Sequence, residues 1–219
     1  MHALQLPDLF PLFDTLQMKY GEKTLAPVYG AGCIKKPNIL FLFMNPTGRN
    51  ISAQKDRKGL RAAWLGTKNI WKLFLAVGVI SKPAFTAIQN YKPNQWTTKF
   101  CQQVYQELSQ NKIYVTNLAK CTQIDARPLH NDIFRAYLEA IEKEIALVQP
   151  THIVSFGNQV SSLLLRKNIK VSDYQGKDHE IFEIHWTKYK IYPTFYPVGQ
   201  GMRNIDKAIQ RIKIIANST

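Results

Sequence analysis

The run Ile39-Leu-Phe-Leu-Phe-Met44, stopped at once by Asn45-Pro-Thr-Gly48, most constrains what this chain can fold into. Uninterrupted apolar residues leave no wet face, so the run reads as a strand buried on both sides, as in a parallel sheet covered by helices. Pro46 has no N–H to extend a ladder and Gly48 permits a sharp turn, so the strand ends there. Asn45 then stands at the carboxyl end of a buried strand. Ligands of open α/β sheets bind at that edge. A carboxamide placed there can hold a water or a substrate atom in fixed geometry. A turn with no further role remains open on this motif alone.

Two more runs follow the same plan. Ile113 to Thr116 ends at Asn117, and His152 to Phe156 meets Gly157. Residues 181–186 and 189–195 read as two adjacent strands. Helical spacing of apolar residues marks 8–20, and Thr67 is placed to cap a helix running through Val77, with Ile70, Trp71, Phe74 and Leu75 on its buried face. Further helices are expected near 98–109, over 131–148, from Asn158, and over 204–215. Residues 25–37 and 49–63 read as loops, and 81–96 as irregular. Strands alternating with helices imply an α/β fold with a parallel sheet and helices on both faces. No repeat or composition shift divides the chain, so one domain over 1–219 is expected.

Lys and Arg number 29 against 15 Asp and Glu, a net charge of +14. The excess is densest over 49–72 and 188–213. Such a surface favours a polyanion, nucleic acid first, because basic groups bind phosphate by releasing counterions. No long uncharged apolar stretch suggests a membrane span. The first residues lack the basic and apolar regions of an export signal, so a cytoplasmic protein is expected. Cys33, Cys101 and Cys121 are too few and too scattered for a disulfide framework, and no zinc-ligand spacing occurs.

Five segments, in order, resemble the uracil-DNA glycosylase superfamily over nearly the whole chain. Val28-Tyr-Gly-Ala-Gly32 is similar to its short glycine-bearing strand. Met44-Asn-Pro-Thr-Gly48 resembles its first catalytic motif, in the Asn-Pro form of the mismatch-specific and single-strand-selective branches. Gly59-Leu-Arg-Ala-Ala-Trp-Leu-Gly66, Tyr114-Val-Thr-Asn-Leu-Ala-Lys-Cys121 and Pro150-Thr-His-Ile-Val-Ser-Phe-Gly157 resemble segments of the iron–sulfur branch. Two departures stand out. The second motif, His-Pro-Ser in the family, reads Tyr196-Pro197-Val198 here. The iron–sulfur branch needs four cysteines; Cys121 matches one, Cys33 falls near the amino-terminal pair, and Tyr137 and Leu138 stand about where the fourth would be. No cluster, metal or other cofactor is therefore expected.

The resemblance implies a three-layer α/β/α fold with a central, mainly parallel four-stranded sheet. It implies a monomeric DNA glycosylase, acting on a flipped-out damaged base, with uracil the first choice. Breaking the N-glycosidic bond leaves negative charge on the base and positive charge on the sugar. Asn45 would position the attacking water, and Tyr196 would donate to the base oxygen in place of the imidazole. Asn117 offers the donor and acceptor that match the N3–H and O4 edge of uracil. Trp64 would stack on the base, with Met44 beside it. Met202 would enter the minor groove, and Arg203, Lys120 and the Gly157-Asn158 helix start would meet phosphates. Each position has a plainer reading: a turn cap at Asn45, a strand terminator at Asn117, core packing at Trp64 and Tyr196, and strand-to-helix punctuation at Gly157. Tyr196 also keeps open a non-catalytic nucleic-acid-binding member of the same fold. A nucleotide-handling α/β enzyme is a third, weaker reading.

Overall fold

The computed structural model describes residues 4–217; residues 1–3, the start of the stretch without export-signal character, lie outside them. Among the described residues the strands are β1 (Ala31–Gly32), β2 (Ile39–Phe43), β3 (Ile113–Asn117), β4 (His152–Phe156), β5 (Glu180–Ile184) and β6 (Thr187–Thr194). The helices are α1 (Phe10–Tyr20), α2 (Ile70–Ala76), α3 (Lys82–Asn90), α4 (Thr98–Gln110), α5 (Asn131–Arg135), α6 (Leu138–Val148), α7 (Asn158–Leu165) and α8 (Ile205–Ala216).

One sheet holds all six strands in the order β1-β3-β2-β4-β6-β5. The central four are parallel. The expected four-stranded sheet is thus extended by an antiparallel strand at each edge. The β1 strand is two residues long, too short for any periodic signal, and β5 is the outgoing arm of a hairpin whose return arm is β6. The Val28–Gly32 segment holds β1 where a loop was the residue-level expectation.

Side chains alternate across each strand and fill two layers. Phe41, Phe43, Val154 and Phe156 face α2, α4 and α8. Leu40, Leu42 and Ile153 face α1, α6 and α7. Every residue of β2, β3 and β4 is buried. Each large apolar side chain buried there contributes about 1.5–3 kcal/mol. Trp71 and Trp96 are core residues of the first layer.

Three expectations change. The helix anticipated from Thr67 begins at Ile70, because Thr67 is used in the preceding turn, where its Oγ1 donates to the Trp64 carbonyl at 2.6 Å. Residues 81–96 are not irregular: α3 starts at a Ser81 cap, whose Oγ accepts from the Ala84 N–H at 3.3 Å. The helix over 131–148 is broken between α5 and α6. There the Tyr137 N–H bonds to the Phe134 carbonyl, three residues back, and the phenol turns into the core.

The parallel register sets the functional edge. Phe43 pairs with Asn117 and Phe156 with Thr194. Asn45, Asn117, Gly157 and Tyr196 therefore all emerge at the carboxyl edge of the sheet.

Candidate active site

A cleft of about 570 Å³ opens at that edge, and Asn45, Asn50, Trp64, Asn117 and Tyr196 line it. Its floor is aromatic. Phe43, the last residue of β2, stacks on Phe156 at 4.4 Å and meets Trp64 edge-on at 4.9 Å and Tyr196 edge-on at 6.3 Å. Arg49 and Lys68 line the same cleft as exposed cations.

Asn45 is half-buried. Its Nδ2 donates to the Pro46 carbonyl at 3.1 Å, which fixes the amide plane. Asn50 ties the turn to the opposite segment: its Nδ2 donates to the Thr47 carbonyl at 3.0 Å, and its Oδ1 accepts the Trp64 N–H. Trp64 has a left-handed backbone, φ 67°, which a bulky residue adopts only when its surroundings enforce it. The enforcement is visible. The Trp64 carbonyl accepts from the Thr67 N–H, from Thr67 Oγ1 and from Trp71 Nε1. Trp64 is thus held at both ends of its backbone with its ring in the cleft.

Asn117 is 1% exposed, and its Nδ2 has no hydrogen-bond partner among the described residues. A buried amide left unpaired is costly, about 1–3 kcal/mol, and here it belongs to a residue lining a cleft. Tyr196 separates this cleft from a second recess of about 280 Å³, shared with Gly157, Asn158 and Arg203. Burial pushes its phenol well above the ordinary tyrosine value, so the group stays protonated and can donate. Gly201 sits against it so closely that a Cβ there would lie 1.8 Å from the Tyr196 carbonyl oxygen. Only glycine permits that approach.

The expected residues divide. Asn45, Asn117, Trp64 and Tyr196 share the cleft; Gly157, Asn158 and Arg203 share the recess. Asn158 also fastens its neighbourhood, accepting the Val171 N–H at 2.9 Å. Met202 lies half-buried in the 3-10 segment Gly199–Asn204. Met44 leaves the base-binding set, because its side chain packs on the opposite layer with the α1, α6 and α7 core. Lys120 leaves the phosphate-contact set: it is fully buried and paired with Glu144 at 2.7 Å. Sequence reasoning missed Asn50, a polar residue in a polar loop, and Phe43, indistinguishable from other apolar residues of its strand.

An iron–sulfur cluster does not fit these residues. Cys33 donates its N–H to the Ile113 carbonyl at the start of β3, whereas Cys121 lies beyond the end of that strand. Beside Cys121 the space is filled by Tyr137, whose ring packs on Phe13. Among the described residues no group of three or more His, Cys, Asp or Glu side chains could hold a metal ion.

This chain belongs to the uracil DNA glycosylase superfamily, whose family model matches residues 35–213. It is also similar to a type-4 uracil-DNA glycosylase of Saccharolobus solfataricus, 28% identical over 96 residues. That stretch covers 42% of this chain and 44% of the relative. Membership supports a DNA-glycosylase-like function. No described helix is long and apolar enough to cross a membrane.

Proposed function

We propose that the protein is a monofunctional DNA glycosylase that removes a flipped-out base, uracil first, in base excision repair. The observation that carries this reading is the meeting of the half-buried Asn45 and the unpartnered Asn117 amide over one aromatic floor. Extrusion brings the base into the cleft, where stacking on Trp64 is worth about 1–3 kcal/mol. The Asn117 amide pairs with N3–H and O4 of uracil. As the bond from C1′ to N1 breaks, electrons pass to the base. The Tyr196 hydroxyl donates to the base oxygen that gathers the charge, where a donor in a dry site is most effective. A water held by Asn45 adds to C1′ and loses a proton. A neutral amide is a poor base, so Asn45 works by orientation. Phosphates flanking the flipped nucleotide meet the Gly157-Asn158 helix start and Arg203. The protein acts as a monomer and as one domain, in the cytoplasm.

The non-catalytic reading rests on one observation, Tyr196 at the position of the family's histidine. A phenol offers less than a charge-assisted donor, so weak activity is the expectation. The test is incubation with duplex and single-stranded DNA containing uracil, hypoxanthine or xanthine, scored by release of free base and by alkali-labile abasic sites. Release of base from at least one substrate supports the proposal. Binding of DNA with no base released from any of them replaces it with the non-catalytic reading.

A further inference from the structure

Beneath Asn117 lies a buried ion pair for which the chemistry above has no use. Lys120 and Glu144 are 0% and 1% exposed. The Lys120 ammonium forms an ion pair with Glu144 Oε2 at 2.7 Å and donates hydrogen bonds to Thr116 Oγ1 and to the Asn117 backbone carbonyl at 2.6 Å. Glu144 Oε1 accepts from Tyr114 Oη at 2.7 Å and from Thr116 Oγ1 at 2.8 Å. The Phe13 ring lies 5.3 Å from the ammonium. The chain has given up a side chain to make room: a Cβ on Gly30 would stand 2.0 Å from Tyr114 Oη and 2.4 Å from Glu144 Oε1.

Stability does not account for this network. Withdrawing two charges from water is so unfavourable that apolar residues of similar volume often stabilise a fold equally well or better. What the network does have is a direction. Tyr114, Thr116 and Asn117 are the alternate and final residues of β3, and Glu144 belongs to α6. The pair bolts the last residues of the strand to the helix behind it, and the final bolt is on the carbonyl of Asn117 itself.

The geometry points to Lys120 and Glu144 as the positioning residues of Asn117. The Asn117 Nδ2 has no partner among the described residues to aim it, so the direction in which the side chain leaves the strand comes from the backbone. Lys120 holds that backbone from below while the cleft side stays open for the base edge. The inference rests on the assignment of Asn117 as the base-reading residue.

The test is the double replacement Lys120→Met with Glu144→Leu, which removes both charges and roughly keeps volume. It is expected to fold, with a lowered melting temperature, because the Tyr114 and Thr116 hydroxyls and the Asn117 carbonyl lose partners. On uracil-containing duplex it should lose about tenfold in kcat/KM through KM, with affinity for lesion-free duplex unchanged. Residues that act through one another are non-additive. In an Asn117→Ala background the same double replacement should therefore change excision less than about twofold. Equal losses in both backgrounds, or no loss in either, would overturn the inference. Thr116→Val, which deletes one hydroxyl of the network, serves if the double variant fails to fold, with the same direction expected. If the parent protein excises no base at all, the functional assignment of Asn117 fails while its positioning is still measured by NMR. The Asn117 side-chain NH₂ resonances, identified by their loss in Asn117→Ala, should be one sharp pair in the parent and broadened or doubled in the variant. An unchanged pair would overturn the inference on its own.

Discussion

The two walls of the cleft are built on opposite plans. The wall from Asn45 to Thr67 is gripped by side chains. Asn50 bridges the Thr47 carbonyl and the Trp64 N–H, three donors converge on the Trp64 carbonyl, and Arg61 Nη1 binds the Ser52 and Gln54 carbonyls at 2.8 and 2.9 Å. The facing wall, Tyr196, Val198 and Gly199, leads into the 3-10 segment Gly199–Asn204, which has no buried residue and no side-chain cap. Few buried contacts mean low local stability. For the proposed glycosylase activity, the difference teaches where such a cleft can afford compliance. Water and base must be placed to a fraction of an ångström, which requires a rigid support. The groove of the DNA must be followed, which a glycine-bearing segment does well.

Among residues that support the cleft without touching the base or the water, the largest effect is expected from Asn50. Asn50→Ala orphans the buried Trp64 N–H, so stability should fall by about 1–3 kcal/mol. Displacing Trp64 and the Asn45 turn together should slow excision by about 100-fold. Urea unfolding and single-turnover kinetics check the two halves, and a stable, fully active Asn50→Ala would break the comparison. Tyr196→Phe comes next. It removes one neutral donor, so excision should drop by roughly tenfold at unchanged stability, less than the loss of about 100-fold or more on removing an oxyanion-hole donor; a rate equal to the parent would make the phenol mere packing.

Salt sharpens the picture of the compliant wall. Duplex affinity should fall with log slope of about −0.9 per phosphate neutralised, and Arg203→Ala should make the slope shallower by about one contact. A slope unchanged in Arg203→Ala removes that residue from the interface.

The smallest effect lies far from both walls. His152 is buried with neither ring nitrogen hydrogen-bonded among the described residues, and burial, then the nearby Lys190 and His179 charges, lower its pKa. A depressed folded-state pKa means that the unfolded chain binds the proton more readily. The stabilisation is therefore complete above about pH 6.5, the unperturbed histidine value, and is lost as pH falls toward the lower folded value. The melting temperature of His152→Phe should accordingly fall less than that of the parent between pH 7 and pH 5. Parallel melting curves would refute the assignment.

Much of the edge was legible because buried parallel strands declare themselves. The runs in β2, β3 and β4 have no polar alternation, and each ends in a residue that cannot or need not continue the strand. Asn45, Asn117 and Gly157 followed from those endings, and Tyr196 from the end of the strand expected over 189–195. The misses have local causes. In α3 only Ile88 is fully buried, so its apolar period is faint and Lys82-Pro83 reads as a breaker. The break before α6 depends on one phenol turning into the core. Lys120 sits in a motif beside Cys121, in the loop after β3, and looks like a surface cation; nothing near it in sequence announces Glu144, on α6. Asn50 had no signal at all, since its importance lies in two backbone groups from different turns.

The contrast between the walls is tested most directly by measuring affinity and single-turnover excision together, on one uracil-containing duplex, for the parent, Asn45→Ala and Arg203→Ala. The account predicts a crossed result. Asn45→Ala should lose about 100-fold or more in rate with affinity unchanged, whereas Arg203→Ala should lose affinity and keep its rate at saturating protein. Undiminished excision by Asn45→Ala, or the same paired losses in both variants, would contradict it.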